Sequence, residues 1–480
     1  MKAAKKKSQV IDTSAEVTRR EKTFLLYGTR KVTIYPEVAS KYSLFFRYLE
    51  NHSLQDFDKP VNLLILNNGQ SVKVGPCSIL PEPGTAGNAG RLVFLRDVYD
   101  IRSLFNDNKA VKLQAQFDEL AAIMARKEKV RPLFKQFTAD LRYDLSAYKT
   151  AFDELDMQYQ SEPDDVRESV QQAIIETEGL NFMKFFHGKV GELEDLVAGC
   201  SLEEHQIHGS YFRKQLREFI LCCALMARTN LKPRGYAGDS EMMKMIYANG
   251  YQGDSTFCKL MQKYTVGVPA AQSVRNRRKL ILERLTKFNG SHEVLPKENL
   301  RVLSVACGPA FELADILKSD SDFKRYYFTL LDQDPIALEE ARHLVASIEE
   351  KFGQKIRVDY LNLSVRMMLG KESIAQNQKK FHFIYSMGLF DYLTTPVAKA
   401  IIEKLYQLLY PGGELVVGNF HVSNPSKLFM EYWGDWHLIH RTEEELKALL
   451  RFPDQPAVSI IFEQTRSQMF LVAKKQAENL

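Results

Sequence analysis

The chain has 480 residues, of which 45 % are apolar and 26 % charged, and 65 basic against 60 acidic side chains leave a net charge of +5. A length beyond the roughly 250–300 residues at which a single core stops growing predicts two or three domains, and the composition excludes a disordered or fibrous chain. Nearly cancelling charge demands no nucleic-acid partner, and none is expected.

Lys2, Lys5, Lys6 and Lys7 mark residues 1–21 as a flexible basic tail, whose charge allows at most a peripheral contact with an anionic membrane. No apolar stretch follows it, so it does not read as a secretory signal. The longest apolar run, Phe219 to Ala227, is far shorter than the roughly 20 residues of a membrane span. Six cysteines (Cys77, Cys200, Cys222, Cys223, Cys258, Cys307) form no C-x-x-C pair, so no metal site or disulfide framework is expected and a cytoplasmic protein is.

Residues 22–108 read as a small β domain. TFLLY, KVTIY, VNLLIL and RLVFL are rich in β-branched and aromatic residues, Asn67-Asn68-Gly69 is a hairpin turn, and PEPGTAGNAG (81–90) is a loop. Asn68, Ser71 and Gly75 make this segment similar to the PilZ-type barrels that bind cyclic di-GMP. Their Asn/Asp-x-Ser-x-x-Gly spacing is not kept and a pair of upstream arginines is missing. A degenerate PilZ-like barrel, regulatory or structural and without cyclic di-GMP binding, is therefore expected.

Residues 109–290 take helical spacing, with Leu120, Ile123 and Met124, then Val170, Ile174 and Ile175, and are expected to form a helical cap and substrate domain. Ser210 is read as the cap of a helix through FRKQLREFILCCALMA. From 291 to 480 strands and helices alternate: RVLSVA, YYFTLLD, IRVDYL, HFIYSM and ELVVGNF each precede or follow a helical segment, which predicts an α/β domain with parallel strands. Pro411-Gly412-Gly413 reads as a helix-to-strand turn, and His382 as an exposed strand-edge residue.

RVLSVA runs into Cys307-Gly308-Pro309-Ala310 and then a helix, an arrangement that lets backbone approach a cofactor at the end of the first strand. It resembles the first motif of Rossmann-like, seven-stranded S-adenosylmethionine-dependent methyltransferases, with Ser304 where the acid usually stands and Ala306 and Ala310 in glycine positions. Asp332 ends the next strand, 24 residues after Gly308, where an acid accepts hydrogen bonds from both ribose hydroxyls, while Asp334 before Pro335 is the better helix cap. Ala306, Gly308 and Pro309 then belong to the cofactor loop. Asn362 and Leu363 are candidates for the adenine, and Ser386 to Gly388 for the methionine portion.

Beyond that class, KPRGYAGDSEMM (232–243), PAAQSVRNRR (269–278), YSMGLFDYL (385–393) and NFHVSNPSKLFMEYWGDWHLIHR (419–441) resemble the bacterial 3-hydroxypalmitic acid methyl ester (extracellular factor) biosynthesis methyltransferases over roughly 200–475. The resemblance implies methyl transfer from S-adenosylmethionine to the carboxylate of a fatty or hydroxy fatty acid. A carboxylate is ionised at neutral pH and needs no general base, and proximity and orientation alone can supply roughly 7–11 kcal/mol. A hydroxyl or ring-nitrogen acceptor would need a base, with His208, His421 and His437 the first to test. For the acceptor side, Tyr236 is read as a hydrogen-bond donor and Asp239 as an attractor of the sulfonium, the alternative for Asp239 being a cap of SEMMKMIYAN. Arg275 and Arg277 would pair with the acceptor carboxylate, with His208 and Trp436 completing the substrate side. Trp433 and Trp436 alternatively fill the core. Two rival readings stay open: a protein or RNA acceptor, and a regulatory module with a degenerate methyltransferase fold.

Overall fold

The computed structural model describes residues 15–16, 22–27, 30–39, 43–48, 61–67, 70–81, 89–94, 123–290, 299–369, 380–450 and 457–476. They divide into two compact units, Met1–Lys129 and Val130–Leu480.

In the first unit seven strands alternate apolar and polar residues at period two: β1 (Ala15–Glu16), β2 (Lys22–Tyr27), β3 (Arg30–Ala39), β4 (Ser43–Arg47), β5 (Val61–Asn67), β6 (Gln70–Pro81) and β7 (Ala89–Phe94). Every pairing is antiparallel in the order β1-β3-β2-β5-β6-β7-β4, and an added β3–β4 pairing closes all but β1 into a ring. Closure removes the unpaired edges that would otherwise invite aggregation. Leu25, Val32, Ile34, Phe46, Leu63 and Ile65 share its core. Asn67 faces Gln70 across the β5–β6 hairpin. Asn68 and Gly69, most of the 81–90 loop and the basic tail to residue 14 lie outside the described residues, and Ser71 and Gly75 fall within β6.

The second unit begins with helices. Phe134, Leu141, Leu145 and Phe152 form one buried stripe of the helix Pro132–Gln158, against which the later helices pack. The helix expected to start at Ser210 starts instead at Ser201, where a capping box with Glu204 satisfies its first N–H groups, so Ser210 is interior to Leu202–Gln215. The same apolar core takes in Phe429, Tyr432 and Trp433 from far along the chain. Trp433 is fully buried, with its ring edge-on to Phe186 and Phe212 at 4.9 Å each. The helical layer and the α/β part are thereby one body.

A mixed seven-stranded sheet follows: β8 (Leu300–Val305), β9 (Tyr326–Asp332), β10 (Val358–Asn362), β11 (Phe381–Ser386), β12 (Leu409–Phe420), β13 (Ala457–Phe462) and β14 (Gln468–Lys474). The order is β10-β9-β8-β11-β12-β14-β13; the first five run parallel, and β14 is antiparallel to both its neighbours. Two apolar layers cover its faces, as a largely parallel sheet requires. The fold class is α/β and Rossmann-like.

Two local expectations are corrected. Pro411-Gly412-Gly413 lies inside β12 as a bulge: Phe381 pairs Leu409 and Phe383 pairs Glu414, so extra residues are looped out, Gly412 taking φ 78°. His382 is half-buried in a central strand; its Nδ1 accepts the Arg301 N–H at 3.0 Å, its ring lies 4.5 Å from Tyr410, and burial pushes its pKa down to about 4. β11 is flanked on both sides, by β8 and β12, so His382 has no free edge to occupy.

Candidate functional site

Strand order reverses between β8 and β11, and in open α/β sheets the crevice at that switch point, outside the carboxyl ends, is where ligands sit. A cavity of about 270 Å³ lies there. It is lined by the end of β8 (Val305 to Ala310), the end of β9 (Leu331 to Gln333), Leu363, Met387 and Gly388, and by Tyr236, Gly238, Met243, Tyr247, Arg277 and Tyr392.

The turn after β8 is held in an unusual shape. Ala306, Gly308 and Ala310 have φ of 53°, 55° and 52°. Two alanines thus keep the left-handed backbone that glycine adopts freely, at roughly 1–2 kcal/mol each. Cys307 N–H donates to Leu331 O at 3.0 Å and Ala310 N–H to Cys307 O at 3.1 Å, which hold the turn closed.

Asp332 faces this turn. Its Oδ2 accepts from Gly308 N–H at 2.8 Å and its Oδ1 from Asp334 N–H at 2.9 Å. Burial raises its pKa while those N–H groups lower it. Each carboxylate oxygen keeps acceptor capacity beyond these bonds. Asp334 caps the helix Pro335–Phe352 through Ile336 N–H at 2.9 Å.

Of the other cofactor candidates, Pro309, Leu363 and Gly388 line the cavity and two do not. The exposed Asn362 donates to Asp332 O and Gln333 O at 3.0 Å, tying β10 to the end of β9. The fully buried Ser386 donates to Val305 O at 3.0 Å, tying β11 to β8. Both support the strand ends, a placement one residue of sequence register decides.

On the acceptor side Tyr236 lines the cavity and donates to Asp334 Oδ2 at 3.2 Å; burial raises its phenol pKa. Asp239 does not line it. It is buried, accepts Met242 N–H at 3.0 Å as the cap of Ser240–Ala248, and receives Arg228 Nε at 2.7 Å on both oxygens, so the capping alternative is the one the geometry fits. Gly238 has φ 86°, and a Cβ there would meet Tyr392 Oη. That hydroxyl donates to Ala237 O at 2.8 Å and accepts Trp436 Nε1 at 2.9 Å, so Trp436 braces the wall from behind.

Arg275 and His208 lie elsewhere. Arg275 donates to Ile246 O at 3.0 Å and Val266 O at 2.7 Å, satisfying the last carbonyls of two helices. His208 is fully buried between the Arg131 N–H, which it accepts at 3.2 Å, and Phe134 at 4.5 Å. His421 and His437 bond to Ser423 and Asp435, and among the described residues no histidine lines the cavity.

Arg277 does line it, and is 8 % exposed. Its Nη atoms contact Met387 O and Met243 Sδ at 3.3 Å each, it is within hydrogen-bond reach of Tyr247, and its Nε has no partner. Sequence reasoning missed Glu312, Tyr385, Tyr247 and Tyr392. Glu312 is 1 % exposed, lines the cavity and accepts Tyr385 Oη at 2.7 Å. A signal existed: Glu312 is an acid within two residues of the turn, in a chain whose first strand lacks one.

No protein-family model and no curated protein matches the chain. Solved structures do resemble it. A possible exported protein from Bordetella parapertussis is 17 % identical over 50 % of this chain and 80 % of its own, with a TM-score of 0.39. Magnesium protoporphyrin IX methyltransferase from Synechocystis PCC 6803, with bound S-adenosylhomocysteine, is 13 % identical over 43 % and 87 %, with a TM-score of 0.32. The N-methyltransferase NodS from Bradyrhizobium japonicum WM9 is 14 % identical over 42 % and 96 %, with a TM-score of 0.29. At these identities and scores the likenesses assign the chain to no family.

Proposed function

We propose that the Val130–Leu480 unit is an S-adenosylmethionine-dependent methyltransferase with its cofactor at the carboxyl ends of β8, β9 and β10. The observation that carries this is Asp332, a carboxylate oriented by two backbone N–H groups at 2.8 and 2.9 Å and facing the switch-point cavity. That geometry suits the paired hydroxyls of a ribose. Leu331 and Leu363 offer apolar contact to a base beside it. Bound there, the cofactor supplies an activated methyl group on sulfonium.

The lining also favours an acceptor that is ionised already. Burial raises the phenol pKa of Tyr236, Tyr247 and Tyr392, so none of them serves as a base, and the protons of Tyr236 and Tyr392 go to Asp334 Oδ2 and Ala237 O. With no histidine in the described lining, a carboxylate is the acceptor that asks least of the site. This supports the carboxyl methylation of a fatty or hydroxy fatty acid that the family resemblance implies, with Met243, Leu389 and Leu393 as apolar wall. All six cysteines are free, in keeping with a reducing cytoplasm, and no helix among the described residues is long and apolar enough to cross a membrane. The antiparallel ring of the first unit is read as a regulatory or structural module similar to PilZ-type barrels.

The test incubates the full chain with methyl-labelled cofactor and a lipid extract. Base-labile methyl ester is the expected product. Label in protein or RNA alone removes the fatty-acid acceptor and leaves methyl transfer standing; no calorimetric binding of the cofactor removes both.

A further inference from the structure

The cavity is lined by a buried guanidinium and a buried carboxyl group that form no ion pair with each other. Arg277 and Glu312 are 8 % and 1 % exposed, both face the cavity, and no ion pair joins them among the described residues. Burial raises the pKa of Glu312, while the hydrogen bond from Tyr385 and the positive charges of Arg278 and Arg277 lower it. An unpaired charge in a dry interior is costly unless something else pairs with it. Arg277 Nε has no partner and Arg277 forms no ion pair among the described residues, whereas Arg278 and Arg284, on the same helix Pro269–Gly290, each have a carboxylate. The fold also leaves room for Arg277: a Cβ on Gly388 would stand 3.1 Å from its Nη1.

We infer that Arg277 and Glu312 form a divided receptor for a free α-amino-acid group, Arg277 taking its carboxylate and Glu312 its ammonium. The inference rests on the cavity being the cofactor site proposed above, and it moves Arg277 from the acceptor to the methionine end of the cofactor. A guanidinium and a carboxyl group lining one mostly apolar cavity match a zwitterion, and a fatty-acid carboxylate would leave Glu312 unanswered. Tyr385 donates to Glu312 at 2.7 Å and holds its carboxyl beside the turn after β8.

Calorimetry on the full chain with two probes tests this: S-adenosylhomocysteine, and 5′-methylthioadenosine, which has the same nucleoside but no amino-acid group. Wild type should bind S-adenosylhomocysteine at least about 100-fold more tightly, because charge-assisted hydrogen bonds to a buried group are at stake. Arg277→Met and Glu312→Gln should each cut S-adenosylhomocysteine affinity by about 10-fold or more. Both should leave methylthioadenosine affinity within about twofold, which also shows that the variants fold. Equal losses for both probes, or unchanged S-adenosylhomocysteine binding, would overturn the divided receptor while leaving the cofactor site intact. Binding of neither probe by wild type would overturn the site and this inference together.

Discussion

The two walls of the cavity are built by different means. The strand-end wall is backbone: three positive-φ residues after β8 and two N–H groups fix Asp332. The opposite wall is side chains from the helical layer, Tyr236, Gly238 and Arg277, held by contacts between segments far apart in sequence, such as Tyr392 to Ala237 across 155 residues. A backbone wall is set by local sequence, and a side-chain wall by tertiary packing. The first should therefore govern binding of the nucleoside, and the second the placing of the cofactor's amino-acid end and of the acceptor.

The largest expected effect breaks the first wall. Asp332→Ala removes the carboxylate that would bond a ribose and also strips two N–H groups of their acceptor. S-adenosylhomocysteine affinity should fall by about 100-fold or more by calorimetry. Unchanged affinity would take the nucleoside away from this end of the sheet.

Gly238→Ala attacks the second wall. A Cβ at φ 86° is strained, and it would press on Tyr392 Oη. Turnover in the labelled-methyl assay should fall roughly 10- to 100-fold, as small displacements near a reacting centre do. Cofactor affinity should stay within about threefold. An equal loss of affinity would show that the walls are not separable.

That contrast explains what the sequence discloses. Gly308 and Asp332 are legible because strand, turn, strand and acid follow one another in order. Asn362 and Ser386 sit in the right segments yet turn to neighbouring backbone, since a strand alternates direction at every residue and its start was read to within one or two. Arg275 and Arg277 look alike on one helix. Only packing sends the first to helix-end carbonyls and leaves the second facing the cavity without a carboxylate. Glu312, Tyr385 and Tyr392 act across β8, β11 and the helical layer, distances no local pattern encodes.

Asp391 gives a smaller effect, through pH. It is buried behind Tyr392, accepts Phe420 N–H at 2.6 Å, and burial raises its pKa from 3.8 to about 6. A carboxyl whose folded pKa is raised binds its proton more tightly in the folded state. Its contribution to stability is present below pH 3.8 and is lost as pH rises to about 6. Asp391→Asn keeps an oxygen for Phe420 N–H and has nothing to ionise. The stability of wild type minus that of the variant, by denaturant titration, should fall by roughly 2–3 kcal/mol across this window. A flat difference would mean that Asp391 keeps its charge at no cost, the positive charges of Arg277 and Arg441 being enough although neither forms an ion pair with it among the described residues.

The smallest effect separates the two alanines of the backbone wall. Ala306 and Ala310 share the same strain, with φ of 53° and 52°, but Ala306 is partly exposed and Ala310 is fully buried. Glycine at either position relieves the left-handed strain, by roughly 1–2 kcal/mol. It also adds freedom to the unfolded chain, at about 0.4–1 kcal/mol. At 310 the lost methyl costs about 0.8 kcal/mol more in burial. Ala306→Gly should therefore stabilise by up to about 1.6 kcal/mol, and Ala310→Gly should stand about 0.8 kcal/mol below it, close to neutral. Thermal melts of the full chain decide it through the sign of the difference between the variants. If both stabilise equally, the turn is limited by φ alone and the methyl of Ala310 is not part of the packing beneath it; if neither does, the left-handed backbone is held without cost.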